Sequence, residues 1–270
     1  QNYQVSLSGG SENTQFYTSL SYMKQTGITA NQALERFTGN ANLTHRFGHF
    51  TLNYSALFTK MNQQLANEGT SYASSIANYA FFQSPSSIAY LPDGSLASGA
   101  QTKSVVKINP LYEYEHSSDK SDIKRMLNSL RLDWNIWDAL HLSEKVTYDY
   151  TSNTENILWD RYSNDGAPGA VMQRVVSDLS QLNGQTQLSY VKSFGLHNVD
   201  ALLGYETEKY TYRYNYINGT DYPGDLYEFG NAGTTSAESN KSGYTLASWL
   251  GRVNYNYDNR YYAGVSYRRD

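Results

Sequence analysis

Along nearly its whole length the chain alternates apolar and polar residues in runs of about ten, closed in turn by a two-to-four-residue turn and by a long polar connection. Clear copies are Tyr3-Gln4-Val5-Ser6-Leu7-Ser8, Leu52-Asn53-Tyr54-Ser55-Ala56-Leu57, Leu130-Arg131-Leu132-Asp133-Trp134-Asn135-Ile136 and Tyr261-Tyr262-Ala263-Gly264-Val265-Ser266-Tyr267. Successive side chains of a strand point to opposite faces, so each run makes a strand with one apolar and one polar face. Long strands joined by short and long connections in strict alternation are the sequence pattern of a transmembrane β-barrel.

The alternation predicts an all-β chain, an antiparallel meander of ten strands at about 2–11, 15–25, 35–47, 50–61, 122–137, 141–152, 182–194, 197–213, 242–257 and 260–269. Tight turns fall at Glu12-Asn13-Thr14, Gly48-His49, Asp138-Ala139-Leu140, Gly195-Leu196 and Asp258-Asn259, rich in residues that accept positive φ. The other connections, 26–34, 62–121, 153–181 and 214–241, are long. In outer-membrane barrels the short turns are periplasmic and the long loops extracellular, so those loops are expected outside and the first strand is expected to run inward. Within the longest loop, Ser71 to Phe82 places Ala73, Ile76, Ala77 and Ala80 at helical spacing, which predicts a short helix packing the loop onto the barrel rim.

The apolar set is Tyr3, Val5 and Leu7; Thr18, Leu20 and Tyr22; Leu52, Tyr54, Ala56 and Phe58; Leu130, Leu132, Trp134 and Ile136; continued by Val199, Ala201, Leu203 and Tyr205 and by Val253, Tyr255 and Tyr257. The opposite set includes Gln4, Ser6, Asn40, Asn42, Arg131, Asp133, Arg252 and Asn254. A soluble sandwich shows the same alternation with the solvents exchanged. Mid-strand charges such as Arg131, Asp133, Lys145 and Arg252, and strands well beyond the usual five or six residues, favour a barrel with a hydrated interior. Tyr and Trp near strand ends (Trp134, Trp137, Tyr148, Tyr150, Tyr255, Tyr257, Tyr261, Tyr262) suit a headgroup girdle, with rings buried and polar tips wet.

Composition removes other classes. Tyr occurs 26 times and Pro 5 times in 270 residues, which favours long sheets over helix bundles. No apolar run approaches the roughly 18 to 20 residues of a membrane helix, whereas a barrel strand turns only alternate residues to lipid. A mean hydropathy of −0.63 is therefore compatible with insertion. The net charge of −4, with Lys and Arg scattered, offers no nucleic-acid surface. Without Cys there is no disulfide framework or thiolate metal site. Starting at Gln1 and stopping at Asp270 directly after a strand-like run, the chain reads as a piece of a larger protein cut at both ends.

No local signature of a zinc protease, a serine hydrolase, a P-loop or a dinucleotide fold is present, and no catalytic residue or cofactor is expected. His45, His49, His116, His141 and His197 lie far apart in sequence, three of them at turns. Glu206 and Glu208 are neighbours on one wall, not carboxylates opposed across a sugar, and are expected to line the lumen or touch a polar ligand. The segment from Asn218 to Tyr227 offers Asp221, Tyr222 and Asp225, which suit sugar stacking with hydrogen bonds, oxygen ligation of Ca²⁺, or an ordinary Asn/Gly/Pro loop. Tyr72, Tyr79, Phe81, Phe82, Tyr90, Trp159 and Tyr162 are the aromatic candidates for contacting a ligand or lid.

The ordered segments also carry a family likeness. Asn2-Tyr3-Gln4-Val5-Ser6-Leu7-Ser8-Gly9-Gly10-Ser11, then Phe16 to Tyr22 with Gly27-Ile28, then Glu35 to Leu43, the loop element Asn109-Pro110-Leu111 and the terminal Tyr261 to Asp270 resemble, in order, the barrel of SusC/RagA-like TonB-dependent transporters of the Bacteroidetes outer membrane. The likeness covers essentially all 270 residues. It implies a barrel of about 22 strands, an N-terminal plug energised by TonB, a SusD-like surface lipoprotein as lid, and import of oligosaccharides or peptides. The chain itself shows no TonB box, no plug and no later strands, so contact with TonB is expected through a region absent from it. A passive outer-membrane barrel or surface adhesin, and a soluble carbohydrate-binding β module, are the competing expectations.

Overall fold

The computed structural model describes residues 1–28, 31–66 and 76–270. Ten strands, β1 (Asn2–Gly10), β2 (Thr14–Thr26), β3 (Ala33–Phe47), β4 (Phe50–Leu65), β5 (Ser117–Trp137), β6 (Leu140–Trp159), β7 (Val171–Phe194), β8 (His197–Thr220), β9 (Thr234–Tyr257) and β10 (Tyr261–Arg269), form one antiparallel meander in sequence order. Two helices, α1 (Ile76–Phe82) and α2 (Pro110–His116), lie in the longest connection. The expected helix is present from Ile76; its first residues, Ser71 to Ser75, and the candidate Tyr72 lie outside the described residues.

Except for Ile136, the register places the apolar set on one face. Val5 pairs with Leu20, Leu43 with Tyr54, Leu52 with Leu132, Trp134 with Leu142, Leu188 with Leu203 and Ala201 with Val253. A bulge at the end of β5 sets Trp137, not Ile136, opposite Leu140, so the indole continues this face at the turn. Tyr262 pairs with Asn256 and lies on the polar face, not in the girdle expected from its place near a strand end. The remaining girdle is built as rows of rings: His45, Phe47, Phe50 and Trp134 stack in succession with centroids 5.4–5.6 Å apart, and His197 packs against Tyr257 at 4.9 Å. These rows mark the short-turn end of the apolar face.

No layer covers that face. Val5 is 75 % exposed, Leu20 54 %, Leu203 51 % and Val265 68 %. The buried hydrophobic side chains among the described residues are Tyr79, Ala97, Ala139, Trp159, Ala170 and Tyr222, and all except Ala139 belong to the long connections or the strand end beside them. The sandwich alternative is thereby overturned: a sandwich needs a second sheet on the apolar face, and all ten strands are in one sheet.

The polar face is a lattice of paired groups. Arg125 holds Asp149 through two bonds of 3.1 and 2.7 Å, Arg131 reaches Asp133 at 2.8 Å, and Asn53 donates to Asp133. Arg125 and Arg131 thus each sit on a carboxylate, which offsets the cost of gathering charge on one wall.

Two of the tight turns are two-residue loops with φ of +56° at Gly48 and +61° at Gly195, the first position of a II′-type hairpin, which only glycine adopts freely. At the other end the strands run further than alternation suggested. The loop expected at 153–181 shrinks to 160–170, that at 214–241 to 221–233, and that at 62–121 to 66–116. The reason is chemical. On β5 the apolar face ends at Met126, and Lys124, Asp122 and Lys120 follow on the same side, so alternation stops while the backbone ladder continues into water.

Placing an arginine at Leu132, midway along the apolar face, should cost about 2–4 kcal/mol in a bilayer. Urea unfolding of the protein reconstituted in lipid, followed by the shift between folded and unfolded gel mobility, measures this.

Candidate functional site

The four long connections converge at one end of the sheet and are tied to one another. Asn31 donates from Nδ2 to the Tyr114 carbonyl at 2.6 Å, joining the first connection to the second. Asn109 caps α2: its Oδ1 accepts from the Leu111 amide, while its Nδ2 donates to the carbonyls of Ala89 (2.8 Å) and Ala97 (3.0 Å). With Pro110 at the first helical position, this Asn-Pro pair both starts the helix and gathers three parts of the loop around one buried amide.

Across to the third connection, both carboxylate oxygens of Glu113 accept from the Asn164 amide (3.2 and 3.0 Å) and the Asn164 side chain donates to the Tyr79 hydroxyl at 3.3 Å. His116 Nδ1 lies 2.7 Å from Asp160, between the rings of Tyr112 and Tyr162. The fourth connection is joined by the Tyr222 amide donating to the Gly169 carbonyl (2.6 Å) and by Arg161, whose guanidinium donates to the Tyr222 carbonyl (2.9 Å) and lies 3.1 Å from Asp225.

Burial sorts the expected contact residues. Tyr79, Trp159 and Tyr222 are 3–5 % exposed and pack the connections together, with the Tyr222 hydroxyl against Gly219. Phe82 and Tyr162 are about half exposed, at 51 % and 54 %. Asp221 accepts from Thr220 and Asp225 from Tyr227 in addition to its Arg161 pair. No group of three or more His, Cys, Asp or Glu gathers among the described residues, so nothing there adds to the Ca²⁺ option at Asp221 and Asp225.

Glu206 and Glu208 are both on the polar face, each in its own network. Glu206 holds Arg268 at 3.1 Å, and Arg268 also pairs with Asp270, which accepts from Ser248. Glu208 accepts from Gln181 (2.9 Å) and from the Tyr244 hydroxyl (2.6 Å), and Tyr244 stacks on Tyr210 at 5.2 Å. That stack opens a column absent from the sequence reading: Tyr210, Tyr212, Tyr214 and Tyr216 follow one another on the polar face of β8, opposite Gln181, Leu179, Ser177 and Val175 of β7. The signal was in the sequence as tyrosine at every second position: the strand expected at 197–213 already held Tyr210 and Tyr212, and the longer β8 adds Tyr214 and Tyr216. A sheet wall bearing four phenol rings beside carboxylate and amide groups presents flat apolar surface with hydrogen-bonding edges, the chemistry that binds sugars or peptide groups.

Comparison with known proteins gives a consistent result. No family model matches the chain. It is 25 % identical to TonB-dependent receptor P26 of Formosa agariphila over 100 % of its own length and 28 % of that protein, and 23 % identical to TonB-dependent receptor SusC of Bacteroides thetaiotaomicron over 99 % of its length and 28 % of SusC. The RagAB peptide transporter superposes with a TM-score of 0.81 at 17 % identity, covering 99 % of this chain and 31 % of that one; the siderophore receptor PiuA of Acinetobacter baumannii reaches 0.55 at 10 %. The fold is that of a stretch of barrel wall from a TonB-dependent receptor. The resemblance to the SusC/RagA-like group is borne out, with the chain spanning less than a third of the length of these relatives.

Burial among loop atoms pushes the Glu113 carboxyl up to about 6 against the bonds from Asn164, and the Tyr79 hydroxyl up to about 12. Between its ordinary 4.5 and about 6, Glu113 keeps a proton in the closed cap that an opened cap has released. The cap therefore loses up to about 2 kcal/mol as pH rises through this window. Hydrogen exchange corrected for intrinsic rates should show the Asn164 amide better protected at pH 5 than at pH 7.5, and Glu113→Gln should flatten the difference.

Proposed function

We propose that this chain is part of the barrel wall of an outer-membrane TonB-dependent transporter that imports oligosaccharides or peptides. The observation that carries the reading is the end-to-end match, in sequence and in fold, of a single sheet whose apolar face nothing covers. The apolar face meets lipid, the polar face lines the hydrated interior, the tight turns are periplasmic and the tied connections are extracellular.

The strands contribute no catalytic group; they supply a rigid wall and an outer binding rim. Energy comes from TonB acting on a plug in the remainder of the protein, and a SusD-like lipoprotein closes over the external cap. Among the sequence candidates, Phe82, Tyr162 and Asp225 are exposed at the cap, while Glu206 and Glu208 lie on the interior wall. The tyrosine column from Tyr210 to Tyr216 supplies stacking surface for the ligand on the way in.

Deleting the gene should abolish uptake of the cognate oligomer, and the protein should fractionate with the outer membrane; recovery from the soluble fraction sinks the proposal. Tyr212→Ala with Tyr214→Ala should weaken ligand binding by about fivefold to a hundredfold, taking roughly 0.5–1.5 kcal/mol per lost stacking contact. The folded gel mobility should stay unchanged. Isothermal titration with the imported oligomer measures this.

A further inference from the structure

On the face opposite the tyrosine column, at the upper margin of the apolar surface, lies a groove of about 460 Å³. Tyr148 and Tyr150 of β6 form one wall and Lys209, Arg213 and Lys241 of β8 and β9 the other, with Leu182 of β7 between Tyr148 and Lys209 in the same row. The floor is low because Ser180, Thr211 and Gly243 sit side by side on adjacent strands, and a Cβ at residue 243 would collide with the Tyr210 carbonyl.

The three cations make no hydrogen bond or ion pair with any described residue. Asp178, the carboxylate that faces Arg213 across the ladder, is engaged by the Tyr150 hydroxyl at 2.9 Å. On the polar face Arg125, Arg131, Arg252 and Arg268 each sit on a carboxylate, while Lys145, opposite Arg131, stands alone among the described residues without a cluster around it. An unpaired cationic trio beside one occupied carboxylate leaves the groove open to an anion.

Height identifies the anion. Lys209 and Arg213 lie twelve and sixteen residues from the short-turn end of β8. At about 3.3 Å per residue and a tilt near 40°, they stand roughly 30 and 40 Å above the turns. An apolar band of about 25 Å ends just below Lys209. Below the groove the same face continues through Val146 and Leu203, 42 % and 51 % exposed. A soluble partner cannot reach a surface that merges into the hydrocarbon zone, but an amphiphile can.

We propose that this groove docks a phosphate-bearing glycolipid of the outer leaflet, with phosphates on Lys209, Arg213 and Lys241 and acyl chains running down past Tyr148 and Leu182 onto the apolar face. The inference rests on the membrane placement proposed above.

The test uses the full-length protein extracted from membranes into detergent and titrated with lipid A, either phosphorylated or phosphatase-treated, with bound copies counted by native mass spectrometry. Phosphorylated lipid should bind at least about tenfold tighter. Combining Lys209→Gln, Arg213→Gln and Lys241→Gln should weaken it on the order of a hundredfold, each charge contributing roughly a factor of five. Lys209→Arg with Lys241→Arg should retain binding, and Lys192→Gln, at the short-turn end of the same face, should leave it unchanged. If the triple variant does not fold, the single Lys209→Gln should show its factor of five. Equal binding of both lipids, or wild-type binding by the charge-removed variants of a folded, membrane-inserted protein, overturns the groove and leaves the transporter reading intact. A protein that never enters the membrane fraction removes both.

Discussion

Peptide groups facing hydrocarbon find no water, so a sheet that meets lipid must satisfy its N–H and C=O groups along the strands themselves. The uninterrupted antiparallel ladder from β1 to β10 meets that demand, and the rest of the structure depends on it. It allows one face to remain apolar without a covering layer and frees the other to carry charge. It also leaves β1 and β10 each paired on one side only, which fits a sheet that closes with further strands.

The ladder outlasts the apolar band. Beyond Met126 on β5 and beyond Thr207 on β8, both faces turn polar and the strands become a wall in water. There the side chains are freed from the lipid rule and two surfaces take on separate chemistry. The inner one carries Tyr210 to Tyr216 with Glu208, and the outer one carries Lys209, Arg213 and Lys241. Neighbouring residues of one strand thus serve opposite environments because a strand changes side at each step.

The cap is held by a small number of buried polar contacts. Asn109, Glu113, Asp160 and Arg161 each join segments far apart in sequence, and Tyr79, Trp159 and Tyr222 fill the space between them. These aromatic residues looked equivalent to Phe82 and Tyr162 as possible contacts, yet burial divides the set into those that hold the loops and those that face outward. Nothing local in the sequence distinguishes a ring that packs from a ring that binds.

The sequence by itself determined the strand order, the assignment of faces and the positions of the tight turns, because each follows from period-two alternation and from the residues that accept positive φ. It left the strand ends short, since above the band the outer face gives way to residues such as Lys209, Arg213 and Lys241 and the apolar-out alternation that marks the lower strands is lost. Only the tertiary structure decided which loop residues meet: Glu113 with Asn164, Asn31 with Tyr114 and Arg161 with Tyr222 are pairs set by how the connections fold back over one end of the sheet. It alone also showed that Lys209, Arg213 and Lys241 share a groove, because their proximity arises from the register between β8 and β9, and register is a property of the pairing, invisible in either strand alone.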